Sequence, residues 1–499
     1  MFLTAELLLY FQRCSRRAYL DTFGDLSQRD PPSAYLLKLI QDSATHRRSS
    51  LRDRSWQQPT FAENDWQGGM AATLDLMQQG VDCINRGVLL TQISEEVTLL
   101  SRPDLLVKHS GQSQFGDWLY VPTEIKLGKR PKLEYQIVAA FNVKVLAAVQ
   151  EAWPEHSWLL LREKGAYEVD LWKILPDMEK ILQDCIQTLN QPEAPEVFIA
   201  RNRCSLCHWY SHCYDIAQSQ QHLSLLPGVT ASRYIQLQAQ NLTTVESLAY
   251  RSSDGLANLP GFNPEVAQKL VLQAQSTLQN RAILRETGLL SSLQELPTAD
   301  IELYFDIEAE PELNLAYLHG VLVVDRQTGT ETFYSLLAEQ PDAEIIAWQQ
   351  FLELVWRYPN APIFHFCPYE VQTVERLGKL YNTPSSLIEP LVSRFIDLHE
   401  WVTQTVILPV ESYALKPIAR WLGFDWRDPN ANGALAICWY TEWLEQGDRA
   451  SLEAIIQYNE DDCRAMQRLK DWLVEFTQRN SREPITAEPI TAEPIARAG

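Results

Sequence analysis

The chain is poor in positive charge. Its 43 lysines and arginines face 64 aspartates and glutamates, a formal net charge of −21 over 499 residues, which leaves little for drawing phosphate to the surface as a whole. Long apolar runs are missing too: none approaches the ~20 residues of a membrane-spanning helix, so no membrane partner is expected. The opening "MFLTAELLLYFQRCSRRAYL" is apolar only briefly and has neither a basic leader nor a small-residue cleavage site, which argues against a signal peptide. Nine cysteines, an odd number scattered along a long chain, fit a reducing cytoplasm better than a disulfide framework. The Gly-x4-Gly-Lys-[Ser/Thr] loop that cradles nucleotide phosphates does not occur, so no motor is expected within the chain.

What is present divides by region. Residues 1–220 hold 23 basic and 27 acidic side chains, residues 221–293 hold 5 and 4, and residues 294–499 hold 15 and 33. The acidity therefore belongs to the last part and suggests a boundary near Ser291 to Ala299. The length calls for two large domains and a small connector. In residues 1–220, helical spacing from Leu3 to Leu20 and in "SAYLLKLIQDSATHRRSSLRDR" is followed by strands around residues 95–127, and "LEYQIVAAFNVKVLAAVQEAW" returns to helix. Residues 221–293 repeat a local phrase, "LLPGVTASRYIQLQAQ" and "NLPGFNPEVAQKLVLQAQ", around Gly228 and Gly261. From Glu302 the pattern strand, strand, helix, strand, helix predicts an α/β domain over residues 294–478. The tail, residues 479–499, repeats Ile-Thr-Ala-Glu-Pro and is expected to be disordered. The fold class is thus α/β multidomain.

Three of the cysteines stand in "ARNRCSLCHWYSHCYD" as Cys204-x2-Cys207-x5-Cys213. Three soft ligands in so short a span suit zinc or an iron–sulfur cluster. For zinc, His208 or His212 could complete a local site; for a cluster the fourth ligand has to be distant, and Cys14 in "YFQRCSRRAYLD" is the candidate. One early cysteine followed by this triplet resembles the iron–sulfur RecB-type nucleases, which include the CRISPR-associated exonucleases and the AddB-type helicase-nucleases, over about residues 1–215. The resemblance implies that Cys14, Cys204, Cys207 and Cys213 bind a [4Fe-4S] cluster with a structural role.

A nuclease of that kind needs carboxylates for Mg2+ or Mn2+ and a cation near the attacking water. "RPDLLV" offers Asp104 at a strand start, and "PTEIKL" offers Glu124 and Lys126 on one side of a strand with Ile125 facing away. These residues are similar to the PD-(D/E)xK pattern, which implies a restriction-endonuclease-like domain. By that resemblance Asp104 and Glu124 bind metal, Lys126 orients or activates water, and His46 is a further metal ligand. Gln136 and Tyr135, in "EYQ", would help to position substrate or the lysine; the family's tyrosine one turn later is replaced by Ala140. The Leu-Pro-Gly phrases resemble a helix-hairpin-helix connector, whose glycine turns approach phosphate, with Arg233 and Lys269 as the nearest charges.

In "IELYFDIEAEP", Asp306 and Glu308 fall on one face of an apolar strand, where two carboxylates are costly unless they share a cation. "YNEDDCRAMQRLKDWL" places Tyr458 one helical turn before Asp462. Together with "SYALKPIARWLGF", these residues resemble the DEDD exonucleases of the ribonuclease H-like fold, in the branch that carries tyrosine, over about residues 300–475. The resemblance implies two metals on Asp306, Glu308 and Asp462, with Tyr458 orienting the attacking water. Where that group has a middle aspartate, "IFHFCPYEVQTVERL" has Glu370, and Asp397 in "RFIDLHEW" is a further candidate, more simply read as a helix cap.

The combined reading is a RecB-like protein with two nuclease domains. It would hydrolyse phosphodiester bonds with Mg2+ or Mn2+, acting on single-stranded or frayed DNA ends in repair or processing, with a helicase as a conceivable partner. Two alternatives stand beside it: a nucleic-acid-binding scaffold with zinc at the cysteines, and a nuclease of RNA.

Overall fold

The structure, a computed structural model, describes residues 1–285 and 296–482. The repeating tail beyond residue 482 and the boundary expected at residues 293 and 294 lie outside the described residues. The chain divides after Ala217 into two compact units.

The first unit opens with β1 (Phe2–Thr4), α1 (Ala5–Arg13), α2 (Ser15–Phe23), α3 (Ala34–Leu51) and α4 (Trp66–Gln78). Then come β2 (Cys83–Asn85), β3 (Leu89–Gln92), β4 (Thr98–Ser101), β5 (Leu105–Ser113), β6 (Gly116–Lys126), α5 (Leu133–Gln150), β7 (Trp158–Leu161) and β8 (Gly165–Glu168). It closes with α6 (Leu171–Leu189), α7 (Arg201–Cys204) and α8 (Tyr210–Ser219). A five-stranded sheet runs β2-β5-β6-β7-β8, and a three-stranded sheet runs β1-β4-β3. The β5–β6 pair is antiparallel and the β6–β7 pair parallel, the crossover between the latter being α5. Helix α5 is apolar nearly all round, from Ile137 to Val149, so it can only be a central element. It packs against β6 and the small sheet on one side and α1 and α6 on the other.

The unbroken helix expected from Leu3 to Leu20 is in fact a strand and two helices. Cys14 adopts extended backbone at φ −163° and ψ 113°, which ends α1, and its sulfur accepts from the Arg17 amide, which starts α2. Apolar periodicity survives the break because α1 packs on α5 and α6, and α2 on α6.

The second unit begins with α9 (Ala231–Gln238), α10 (Val245–Ala249), α11 (Pro264–Gln279) and β9 (Ile283–Leu284). Gly228 and Gly261 both take left-handed backbone, at φ +87° and +81°, which a side chain would resist. Arg233 donates to the carbonyls of both glycines, at 2.8 and 3.0 Å, and so ties the two turns together. Lys269 lies over the Tyr413 ring. Gln273 of α11 donates to the Leu408 carbonyl at 2.6 Å and accepts from Tyr413, which binds these helices to the rest of the unit.

The rest comprises β10 (Ile301–Glu310), β11 (Leu315–Asp325), β12 (Thr330–Leu337), α12 (Glu344–Arg357), β13 (Ile363–His365), α13 (Tyr369–Leu380), α14 (Ser385–Val392) and β14 (Phe395–Asp397). After these come α15 (Leu398–Thr405), β15 (Val406–Ile407), α16 (Leu415–Trp421), α17 (Gly433–Gln446) and α18 (Arg449–Arg482). The sheet order is β12-β11-β10-β13-β14, with β10 at the centre, antiparallel to β11 and parallel to β13. Three strands precede α12 where two were expected; β12 is an edge strand whose turn, Gln327 to Gly329, is built on Asp325. Strand β10 sends Leu303, Phe305 and Ile307 to the core under α12, with Trp348 and Phe351. Glu302, Tyr304, Asp306 and Glu308 occupy its other face, toward α18.

Candidate functional site

The α18 face of β10 carries three acids, and their treatment differs. Glu302 is fully buried but accepts from Lys470 at 2.5 Å and from Arg326 at 2.7 Å. Burial works against its charge, and those donors outweigh burial and hold its carboxyl below the usual range. Asp306 and Glu308 have no such cations. They meet Asp462 of α18, and one ligand oxygen from each of the three lies within 4.8 Å of the others. Among the described residues this is the group of three or more His, Cys, Asp or Glu side chains that closes to that distance.

Burial, then the charges of Asp462, Glu308 and Glu370, push the Asp306 carboxyl well above its ordinary value. Glu308 is raised likewise by burial and Asp462. Asp462 is pushed up to about 7 by burial, against the Trp426 hydrogen bond, the Tyr458 hydroxyl and the Lys416 charge. Three carboxylates so close cannot all ionise without a cation. The donor set, all hard oxygen, is that of Mg2+ or Mn2+.

The neighbours of the triad are hydroxyl, indole and amide groups, with the Lys416 ammonium over the Trp426 and Tyr458 rings at 5.2 and 6.0 Å. Trp426 Nε1 donates to Asp462 Oδ1 at 2.8 Å. Asn459 Nδ2 donates to Asp306 Oδ2 at 2.6 Å. Burial and the carboxylates drive the Tyr458 hydroxyl far above its ordinary pKa, so it stays a neutral donor. Beside Tyr458 a cavity of about 260 Å3 is lined by Asp428, Trp439, Glu453, Gln457 and Asp461.

Glu370 is buried at the start of α13 and does not join the group within 4.8 Å. Its Oε2 stands 3.4 Å from His365 Nδ1 and has no hydrogen-bond partner. Its charge still reaches Asp306 and Glu308. Asp397 caps α15, accepting from the amides of His399, Glu400 and Cys367.

In the first unit, the ends of β5 and β6 bring Asp104, Glu124 and Lys126 together. Asp104 Oδ2 accepts from the Ile125 amide at 2.8 Å, and Lys126 Nζ donates to Glu124 Oε2 at 2.6 Å. Arg47 of α3 stands 2.8 Å from Asp104 Oδ1, and Asn142 of α5 donates to Glu124 Oε1 at 2.7 Å while accepting from Ser101. All four carboxylate oxygens thus have a protein partner. Burial raises the Glu124 carboxyl; burial also works against the Lys126 charge, but Glu124 and Asp104 outweigh it and hold the ammonium above its usual range.

His46 does not close on Asp104 and Glu124 as a third ligand within 4.8 Å; its Nε2 is buried without a partner, and the next residue, Arg47, holds Asp104. Gln136 donates to the Pro131 carbonyl at the start of its own helix, and Tyr135 lies against Gly128. Sequence reasoning did not single out Arg47, Asn142, Trp426 or Asn459. Arg47 and Asn459 each adjoin a residue that was singled out, whereas Trp426 is 36 positions from its partner and has no local signal.

The four candidate cysteines come from the α1–α2 break (Cys14), the end of α7 (Cys204), the following turn (Cys207) and α8 (Cys213), and no three of their sulfurs close within 4.8 Å of one another. Burial pushes the Cys204 thiol up to about 11, and Cys14, Cys207 and Cys213 add to the rise. Asp21 of α2 holds this segment in place, accepting from Trp209 Nε1 at 2.8 Å and lying 2.7 Å from His208 Nε2. Arg203 adds a bond to the Arg13 carbonyl. His208, one of two histidines considered for zinc, is thereby turned to Asp21, while His212 packs edge-on against Trp209.

No helix among the described residues is long and apolar enough to cross a membrane. No curated protein matches the chain. Residues 303–474, which span Asp306, Glu308, Glu370, Tyr458 and Asp462, match the family model RNase_H_2 of the RNase_H superfamily, so this stretch is ribonuclease H-like.

Proposed function

We propose that the chain is a metal-dependent nuclease whose second unit hydrolyses phosphodiester bonds at Asp306, Glu308 and Asp462. One observation carries the reading: three carboxylates converge with none of them in a salt bridge among the described residues, Lys416 acting on Asp462 only at a distance, where β10 uses two cations to neutralise Glu302 a turn of strand away. Bound Mg2+ or Mn2+ would polarise the phosphate and favour hydroxide over water. The side chains supply the rest. Asp306, Glu308 and Asp462 hold the metals, with Glu370 within electrostatic reach as a fourth ligand, and Tyr458, kept neutral, orients the attacking water through its hydroxyl. The cavity beside Tyr458 has acidic walls that suit the hydroxyl and amino groups of a terminal nucleoside better than phosphate, which favours an exonuclease on single-stranded or frayed ends. DNA is the substrate proposed and RNA the alternative.

For the first unit we infer a second nuclease site of the PD-(D/E)xK kind, with Asp104 and Glu124 as metal ligands and Lys126 beside the water. The four cysteines would bind a [4Fe-4S] cluster that closes this unit; His208, taken by Asp21, disfavours the local zinc alternative. Strand separation would fall to a helicase partner, since the chain has no phosphate-binding loop for a motor.

The test is Mn2+-dependent cleavage of end-labelled single-stranded DNA and RNA by anaerobically purified wild type, Asp462→Asn and Lys126→Ala. In a Lys126→Ala background, Asp462→Asn is expected to lose at least 100-fold of the remaining cleavage, and iron with acid-labile sulfide should be present in stoichiometric amount. Full activity in Asp462→Asn with loss in Lys126→Ala would move the chemistry to the first unit. No cleavage by wild type would favour the binding scaffold.

A further inference from the structure

Asn459 is a polar side chain that α18 sends to Asp306 of β10. It is 0% exposed. Its Nδ2 donates to Asp306 Oδ2 at 2.6 Å. Its Oδ1, by contrast, is buried with no hydrogen-bond partner. That oxygen is pressed against Gly320 of β11, which is paired with Asp306 across the ladder. A β-carbon at Gly320 would stand 1.5 Å from Oδ1 and 2.7 Å from Cγ. The fold therefore gives up a side chain on β11 and accepts an orphaned oxygen, which is unfavourable, in order to seat this amide.

We infer that Asn459 is a positioning residue for the metal centre, and that Gly320 is the socket that seats it; the inference rests on the reading of Asp306, Glu308 and Asp462 as metal ligands. Carboxylates that crowd together repel and turn apart unless a neutral hydrogen-bond donor anchors them. An aspartate at position 459 would add a further negative charge and a leucine would offer no donor. The amide fixes Asp306 while one of its carboxylate oxygens stays within 4.8 Å of Glu308 and Asp462, so the cation meets a preformed ligand. Groups that orient metal ligands from behind in this way commonly account for ten- to hundredfold in metal affinity.

The experiment measures Mn2+ binding directly, by the electron paramagnetic resonance of free Mn2+, on the full chain carrying Asp104→Asn and Glu124→Gln. With the first unit's carboxylates removed, binding reports on the second unit alone. In this parent, Asn459→Ala and Gly320→Ala should each weaken Mn2+ binding roughly tenfold or more, with the far-UV circular dichroism unchanged. The double variant should bind no more weakly than Asn459→Ala, because the clash at Gly320 vanishes with the amide. If the alanine cavity unfolds the chain, Asn459→Leu fills the volume without a donor and serves the same comparison. Parent-like affinity in the Asn459 variant, together with loss of binding in Asp306→Asn, overturns the role of Asn459 and leaves the metal centre standing. Absence of binding in the parent, or full binding in Asp306→Asn, overturns the metal centre and the inference with it.

Discussion

At the scale of single residues, the second unit carries destabilising charge where its chemistry is placed. Asp462 brings a charge into a group that already repels it, so Asp462→Asn should stabilise the metal-free protein. At pH 8 in EDTA we expect a gain on the order of 1–2 kcal/mol in chemical denaturation, and Mn2+ should raise the melting temperature of wild type but not of the variant. His319 makes a separate prediction. It is fully buried among Phe305, Trp348 and Phe351 with both ring nitrogens unpartnered, and burial, aided by the Arg376 charge, pushes its pKa from 6.5 down to about 3. The folded ring thus stays neutral where the unfolded ring takes a proton, so stability is intact above pH 6.5 and falls as pH drops toward 3. Roughly 3 kcal/mol should be lost between pH 6.5 and pH 4 through this group alone. His319→Leu should flatten that part of the stability profile; an unchanged slope would remove His319 as the cause.

At the scale of elements, β10 and α18 form the frame of the site, and the network of Glu302, Lys470, Arg326 and Asp471 locks them together one strand repeat below the triad. Lys470 is 3% exposed and Glu302 0%, so removing the lysine leaves a buried acid with only Arg326 and Tyr304 to serve it. Lys470→Met should cost about 3 kcal/mol in urea denaturation. Glu302→Gln added to it should restore part of the loss, because the uncompensated charge, rather than the missing contact, is the larger cost. The break at Cys14 illustrates the same scale in the first unit: one residue in extended backbone turns a continuous amphipathic stretch into two helices.

For the whole molecule, charge decides how nucleic acid can be met. The first 220 residues are nearly balanced, at 23 basic to 27 acidic, while the region from residue 294 has 15 to 33. A polyanion gains little from the latter until metal reverses the local potential. A fluorescent single-stranded oligonucleotide should accordingly bind weakly in EDTA and more tightly with Ca2+, which fills oxygen sites, as read by fluorescence anisotropy. Equal affinity with and without the ion would place binding elsewhere than at the carboxylates.

The placing of Asp306 and Glu308 on one face, and the single turn from Tyr458 to Asp462, were legible in the sequence, because each depends on a period of two or four residues within one element. So was the juxtaposition of Glu124 with Lys126. The edge strand β12 was missed because its alternation is weak and one face is solvated, and the break at Cys14 because apolar periodicity runs across it. Contacts between distant elements left no such trace. That Arg47 rather than His46 holds Asp104, that Trp426 holds Asp462, and that Gly320 makes room for Asn459 depend on which surfaces meet when helix packs on sheet. Local spacing determined which side chains share a face; only the tertiary packing decided what stands opposite them, since burial and the balance of charge are properties of the meeting and not of either strand or helix alone.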